Sequence, residues 1–411
     1  MKFGIFYEHQ LPRDWEADSE HRLFQNSLEQ IELADRLGFD YAWEVEHHFM
    51  EEYSHSAAPE VFLGAASQRT KNIRLGHGII QLTTNHPARV AERVATLDLV
   101  SNGRVELGLG EGSSVTELHP FNLRFRDKRL VWEDAVRCTL PMFYNHGWEY
   151  SGDYFQFPKR AVVPKPLQKP HPPLWVACSQ LDTIKYSAHR GMGALCFKFV
   201  DLDASRAWVN AYYNTYLNHL DPLTDYQTNP NLAVVSGFMC AETDEEAWRK
   251  ADGWTFFQFA LRLYGTEGPF EPGQVNFWER YQEWKQTPEG QKRSGSELIG
   301  SPDTIRERLK ELKEANVDQV ILLNQAGKNT HEDICDSLEL FAREVMPEFH
   351  ADEDNHQAWK AAVLNREIEL EDIDTDPFNF SRGREPTQKP SAEGRNMVAG
   401  TSGRPGAVGV D

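Results

Sequence analysis

Two tandem histidines beside a carboxylate, Glu46-His47-His48-Phe49, are the residues of this chain best suited to chemistry. They follow the apolar run Tyr41-Ala42-Trp43, which reads as a strand, so the set lies at a strand's C-terminal end. A histidine there can act as a general acid or base near neutral pH. An adjacent carboxylate can fix its tautomer or raise its pKa. Strand side chains alternate in direction, so one histidine is expected to face a pocket and the other to support it. The same residues can also be plain hydrogen-bonded structure. Metal binding is not expected, because no His-Glu-x-x-His or spaced Asp/His set accompanies the pair.

Two further stretches can hold a ligand. Gly108-Leu109-Gly110-Glu111-Gly112 lets a ligand approach the backbone closely, although its spacing is not the dinucleotide-binding fingerprint and a tight turn has the same composition. Ala177-Cys178-Ser179-Gln180-Leu181-Asp182-Thr183 leaves one apolar run and enters a helix around Tyr186. Hydroxyls and free N–H groups at a helix start form an anion site, so Ser179 and Thr183 can hold a phosphate or simply cap the helix.

The elements that position these residues alternate. Strands are expected at 2–7, 40–45, 73–80, 104–109, 174–177, 194–197, 232–240 and 319–323, with amphipathic helical segments between them. The first helix stops at Gly38, another spans 57–70, and a third starts after Pro87 and ends near Asn102-Gly103. Eight short apolar strands separated by helices predict a parallel sheet covered on both faces. The closed (β/α)8 barrel is its commonest eight-repeat form, and a doubly wound open sheet is the rival. In such a barrel the C-terminal strand ends carry the chemistry, which is where Glu46-His47-His48 falls.

Two stretches exceed a minimal barrel. Residues 162–173 hold five prolines and read as an extended surface crossing. Residues 250–297, after the seventh strand, are rich in aromatics from Trp254 to Trp284. They are expected to pack as an extra helical pair, to form a lid over the barrel mouth, or both. The barrel is expected to be complete near residue 350. Residues 351–411 form a tail, acidic and partly helical to 376. From 379 it is mixed Gly, Pro, Ser and Arg, expected to be disordered or strapped on a partner subunit.

Composition narrows the partners. The 411 residues carry 43 Lys+Arg against 63 Asp+Glu, a formal charge of −20, which disfavours nucleic acid and anionic membrane surfaces. No apolar run approaches the roughly 20 residues that cross a bilayer. The N-terminus reads directly as a strand and lacks a secretory signal's apolar core. The five cysteines (138, 178, 196, 240 and 335) are widely spaced with no Cys-x-x-Cys pair, as for reduced thiols in a cytoplasmic protein.

Taken in order, the motifs resemble the bacterial luciferase-like family of flavin-dependent monooxygenases over residues 1 to about 350. The markers are Glu46-His47-His48-Phe49, Asn85-His86-Pro87, Gly103-Arg104-Val105-Glu106-Leu107-Gly108-Leu109-Gly110, Leu298-Ile299-Gly300-Ser301-Pro302-Asp303, the strand Gln319–Leu323 and Val345-Met346-Pro347. The resemblance implies a (β/α)8 barrel that takes reduced FMN from a separate reductase. With O2 it forms a flavin hydroperoxide and oxygenates a small organic substrate, expected here to be apolar or aromatic. It implies that His47 is the catalytic histidine with Glu46 and His48 as its neighbours, and that Ser179 and Thr183 meet the FMN phosphate. His77-Gly78-Ile79, often with a cis non-proline peptide, and Gly110 lie beside the flavin. It also implies a homodimer, here through the helices at 57–70 and 88–101.

One position departs from the family pattern. An Arg that commonly follows the Gly-x-Gly turn and contacts the phosphate is replaced by Glu111, which would repel it. Either another cation compensates, with Arg160 and Arg190 as candidates, or Glu111 points away from the ligand, or it serves a substrate or partner. Two other readings share the barrel: a deazaflavin-dependent hydride-transfer oxidoreductase and a non-catalytic flavin-binding relative.

Overall fold

The computed structural model describes residues 1–197, 202–292 and 297–376. The strands, in chain order, are β1 (Lys2–Tyr7), β2 (Tyr41–Glu44), β3 (Arg74–Gln81), β4 (Val105–Gly110), β5 (Trp148–Ser151), β6 (Gln156–Arg160), β7 (Leu174–Cys178), β8 (Gly193–Cys196), β9 (Leu232–Cys240), β10 (Leu298–Gly300) and β11 (Gln319–Leu323). Eight of them close a parallel ring in the order β1-β2-β3-β4-β7-β8-β9-β11, with β11 pairing back onto β1. This is the (β/α)8 barrel, and the open-sheet alternative is excluded by the β11–β1 pairing.

Each barrel strand falls within two residues of its expected place. Gly38 ends the first helix in the left-handed region, φ 90°, where its N–H reaches the Ala34 carbonyl at 3.1 Å. Two elements lie outside the sequence expectation. The antiparallel hairpin β5–β6 is largely exposed, so its apolar alternation is weak. The three-residue β10 extends the end of β9, pairing Leu298 with Phe238.

The barrel interior is filled by large rings set against missing ones. The Trp43 and Trp175 rings meet edge to face at 5.4 Å. Gly76 lies against Trp43 and Gly193 against Trp175, where any Cβ would collide with the indole, and a Cβ at Gly4 would meet the Gln319 amide beside Trp43. Below them Glu106 points inward from β4, accepts the Trp175 Nε1 proton at 2.6 Å and pairs with Arg74. A buried charge on an inward strand position is thus paired and hydrogen-bonded.

The N-terminal end of the barrel is closed by a helix that belongs to the segment read as tail. Helix Glu353–Leu364 lays His356 and Lys360 on Asp318, just before β11, at 2.9 and 3.1 Å. Tyr213 Oη and the Leu232 N–H also donate to that carboxylate, each at 2.7 Å. Burial raises the Asp318 pKa, but Lys360 and His356 outweigh it and hold it down at about 2. Beyond this helix the chain runs along helix Leu202–His219, where Asn210 Nδ2 donates to the Glu371 carbonyl at 3.0 Å. The packed body therefore continues past residue 350, because 351–376 buries side chains and satisfies backbone groups there. The stretch from 379 onward lies outside the described residues.

At the opposite end, helices Phe256–Thr266 and Phe277–Trp284 form the insertion. Phe256, Phe257, Phe259, Tyr264, Phe277 and Tyr281 pack into one apolar cluster with Phe6, Trp43, Ile79 and Trp175 of the barrel interior. The aromatic pair is thus an extension of the barrel core across its C-terminal mouth.

Candidate active site

A cavity of about 270 Å³ opens between the C-terminal strand ends and this insertion. His47 lines it from the loop after β2, 14% exposed, and its Nδ1 lies 2.7 Å from Glu117 Oε1. Glu117 stands on the short helix Val115–Leu118, which Ser114 caps, directly after the glycine-rich turn. Its carboxylate also accepts from Gln81 Nε2 at 2.6 Å, from Ser113 Oγ at 2.5 Å and from the Ser113 N–H at 3.2 Å. On the other side of the imidazole, Tyr53 Oη lies 3.4 Å from His47 Nε2 and donates to Glu8 Oε1 at 2.9 Å. Glu8 follows β1 directly and is buried in the cavity wall.

Burial and charge push these groups apart. Burial raises Glu117, but the His47 charge and the hydrogen bonds from His47, Ser113 and Gln81 prevail and bring it to about 2. Burial lowers His47, but Glu117 outweighs it, and the net pKa is raised. Burial pushes Glu8 up to about 7, against the opposing pull of His47 and hydrogen bonds from Tyr53 and Gln10. Glu117 thus favours the protonated form of His47, and His47 favours the ionised form of Glu117. Glu8 titrates near neutral pH, and the Tyr53 hydroxyl links it to His47. This arrangement can hold a proton at the cavity wall and pass it on.

The tandem set divides differently from the sequence expectation. Strand β2 ends at Glu44, so residues 46–48 are loop and do not follow strand alternation. Glu46 lines the cavity but gives its carboxylate to His48 Nε2 at 2.9 Å, the Gln81 N–H at 2.9 Å and Asn85 Nδ2 at 2.8 Å. His48 turns away from the cavity, between the rings of Phe49 and Phe121. The carboxylate hydrogen-bonded to His47 is Glu117, while the neighbouring Glu46 acts on it only through its charge.

Gly78 and Ile79 line the cavity, joined by a cis peptide, whereas His77 does not. The His77 ring is fully buried outside the cavity lining, and burial drives its pKa down to about 4. Gly110 lines the cavity, and a Cβ there would strike the Ile79 side chain, so that glycine makes room for Ile79.

Another part of the cavity wall carries hydroxyls, a helix start and two cations. Ser179, Gln180 and Thr183 line it at the start of helix Leu181–His189. Thr183 Oγ1 donates to the Gln180 carbonyl at 2.7 Å and accepts from the Gln180 N–H at 3.3 Å, so it also closes the helix start. Lys128 and Arg129 line the same part, and both are paired with Glu111, Lys128 Nζ at 3.6 Å. The Arg129 guanidinium lies 4.0 Å over the Tyr186 ring. Neither Arg160 nor Arg190 reaches the cavity. Arg160 is exposed on β6, and Arg190 is held by Asp221 at 2.7 Å and Glu133 at 3.6 Å.

Sequence reasoning passed over Glu8, Tyr53, Glu117, Lys128 and Arg129. Signals existed: Glu8 directly follows a strand, Ser114-Val115-Thr116-Glu117 reads as a capping box, and Lys128-Arg129 open a helix against its dipole. The hydroxyls, helix start and two cations fit a phosphate, and Phe6, Val45, Ile79, Val176 and Ala177 offer apolar walls for a flat ring. Among the described residues no cluster of three His, Cys, Asp or Glu is arranged to hold a metal, and no helix is long and apolar enough to cross a membrane.

Residues 1–319 match the family model for luciferase-like monooxygenases. The chain is 25% identical over 370 residues to the oxygenase component of flavin-dependent trigonelline monooxygenase from Acinetobacter baylyi, covering 85% of this chain and 96% of that one. It is 32% identical over 196 residues to an uncharacterised protein of Sinorhizobium fredii, a match spanning 48% of this chain and just over half, 56%, of that relative. Among solved structures, a monooxygenase from Streptomyces bottropensis superposes with a TM-score of 0.68 at 25% identity, covering 85% of this chain and all of that one. The fold is shared with the FMN-bound oxygenating constituent of 3,6-diketocamphane monooxygenase of Pseudomonas putida (TM-score 0.64, 20% identity, 84% and 98% coverage). It is shared equally with the coenzyme F420 dependent tetrahydromethanopterin reductase of Methanopyrus kandleri (TM-score 0.59, 20% identity, 85% and 99% coverage). The family match over the barrel, together with relatives named as monooxygenases, makes this chain an oxidoreductase of the luciferase-like monooxygenase family.

Proposed function

We propose that this protein is the oxygenase component of a two-component system, taking reduced FMN from a separate cytoplasmic reductase and oxygenating a small apolar or aromatic compound. The observation that carries this reading is the single cavity with phosphate donors in one part of its wall and the Glu117–His47–Tyr53–Glu8 set in another. Reduced flavin supplies two electrons to O2, so that one oxygen atom enters the substrate and the other leaves as water. Ser179, Thr183, Lys128 and Arg129 would hold the flavin's phosphate, and Gly78, Ile79 and Gly110 would border its ring. His47, whose protonated form Glu117 favours, delivers a proton at the reacting oxygen and recovers it through Tyr53 from Glu8. Phe257 and Leu261 of the insertion complete an apolar cover that keeps water out.

The test is oxygen uptake with reduced FMN in the presence of a panel of small aromatic and alicyclic compounds, with products read by their gain of one oxygen atom. His47→Ala should lower product formation by about 10²- to 10⁴-fold while FMN still binds. Unchanged turnover removes His47 from the mechanism. Hydride transfer by a deazaflavin adds no oxygen atom, so formation of an oxygenated product, rather than oxygen uptake alone, separates the two cofactor readings. The protein is further proposed to be a homodimer through helices Pro59–Arg69 and Pro87–Val100, which expose Val61, Leu99 and Val100. A monomer by light scattering overturns that assignment.

A further inference from the structure

The loop that carries His47 is fastened to the insertion by two carboxylates. Glu52 has no exposed surface, yet it lies in a loop. Its Oε1 accepts the Phe277 N–H at 2.9 Å and its Oε2 the Trp278 N–H at 3.1 Å. These are the first two amides of helix Phe277–Trp284, which have no partner within the helix, and the third, Glu279, is taken by Asn276 Oδ1 at 3.0 Å. Glu52 also accepts the Arg13 N–H at 3.0 Å, and its own carbonyl accepts the Leu11 N–H at 2.9 Å. Beside it Glu51 accepts the Gly273 N–H at 3.0 Å and pairs with Arg13 Nη2 at 2.7 Å. Glu52 itself sits at φ 41°, a left-handed conformation uncommon for a residue with a side chain, so the loop is held there by its partners. The next residue is Tyr53, whose hydroxyl touches both His47 and Glu8.

A helix start capped by a carboxylate from a distant loop, beside the residue that abuts His47, joins two parts of the site. We propose that Arg13, Glu51 and Glu52 form a clasp that makes seating of the insertion and placement of Tyr53 on His47 a single event. Glu52 is then a positioning residue. It never meets the substrate, but it sets the acid–base group only while the cavity is covered. Only the last measurement below depends on the flavin reading.

The experiment uses the full-length protein and its Glu52→Ala, Glu52→Gln and Asn276→Ala variants. Amide hydrogen exchange is followed without flavin over residues 46–56 and 273–278. Glu52→Ala should speed exchange at least tenfold in both segments together. Glu52→Gln, which keeps the shape and one acceptor oxygen, should give a smaller joint effect and stands in if the alanine variant does not fold. Asn276→Ala frays the same helix without touching the clasp and should loosen only 273–278. Exchange that changes in the insertion alone, or in neither segment, overturns the proposal. With a compound that the wild type oxygenates, hydrogen peroxide released per reduced FMN oxidised should then rise severalfold in Glu52→Ala, as uncoupled turnover replaces oxygen transfer, and stay level in Asn276→Ala. An unchanged peroxide yield with both segments loosened also overturns it. If the wild-type protein with reduced FMN and O2 oxygenates no compound of the panel, the flavin reading fails while the exchange data still decide the clasp.

Discussion

Glu111→Gln should tighten FMN binding, the opposite of what removing a charged residue from a binding site ordinarily does. Lys128 and Arg129 line the cavity beside the phosphate donors, and Glu111 is paired with both, so it cancels one of two positive charges before any ligand arrives. For a phosphate charge about 6 Å from the Glu111 carboxylate, repulsion is about 3 kcal/mol at an effective dielectric of about 20 and about 0.7 kcal/mol in bulk water. Arg129 is 28% exposed and Glu111 16%, which places the pair between those limits. A gain of about 1.4 kcal/mol corresponds to roughly tenfold in Kd. Glutamine preserves shape, and stacking on Tyr186 at 4.0 Å keeps Arg129 in place. The assay is fluorescence titration with FMN and with riboflavin, which lacks the phosphate, at low and high salt. FMN should bind about tenfold tighter to the variant at low salt, riboflavin within about twofold, and the difference should shrink as salt shortens the screening length. Weaker FMN binding, or equal tightening of both ligands, would refute the charge argument and make Glu111 a holder of Arg129 instead. A phosphate held against a built-in negative charge leaves more readily than one facing two unpaired cations.

Glu117→Gln should lower the His47 pKa, because the strongest opposition to burial is removed and only the charges of Glu8 and Glu46 remain against it; ring resonances followed by NMR across pH read this directly, and an unmoved titration would show that Glu117 does not set His47. The same substitution tests linkage. The Glu117 pKa is depressed from 4.5 to about 2, so its stabilisation is present above pH 4.5 and is lost as pH falls through about 2. Urea melts of the glutamine variant should lack that acid-dependent loss. Asp318→Asn leaves Lys360 facing a neutral amide at the barrel's closed end and should destabilise by about 3–5 kcal/mol in urea denaturation at pH 7. The wild-type advantage should fade as pH falls from 3.8 through about 2, and a variant as stable as wild type at pH 7 would mean that helix Glu353–Leu364 is not needed there.

The barrel is legible in the chain because its rules are local. A strand buried on both faces must be a short apolar run, and a helix laid on it must show period 3.6, so β9 and β11 match their expected bounds at every residue. The hairpin β5–β6 and the three-residue β10 obey weaker rules. The hairpin is half exposed, and β10 is defined by its partner β9 rather than by its own pattern. The segment from 351 looked like tail because it is acidic. It packs because one lysine and one histidine on its helix meet a single aspartate far back in the chain, a coincidence that periodicity does not register.

The site is less legible for the same reason, and the pattern of misses is informative. Glu46 is next to His47 in sequence, but the loop turns it toward Gln81 and His48. The partner that controls His47 comes from 70 positions away and looks in sequence like the acid of a capping box. Lys128 and Arg129 are likewise supplied from beyond the glycine-rich turn, whose own residue 111 has the wrong sign for a phosphate. Each time, the identity of the group at the strand end is readable and the identity of its counter-charge is not. A strand end is a local feature, whereas a counter-charge is whichever loop the closed barrel brings alongside. That places the electrostatic tuning of this enzyme in the segments after β1, β2 and β4, namely Glu8, Tyr53, Glu111, Glu117, Lys128 and Arg129. Substitutions there should move pKa values and ligand exchange while leaving the barrel intact.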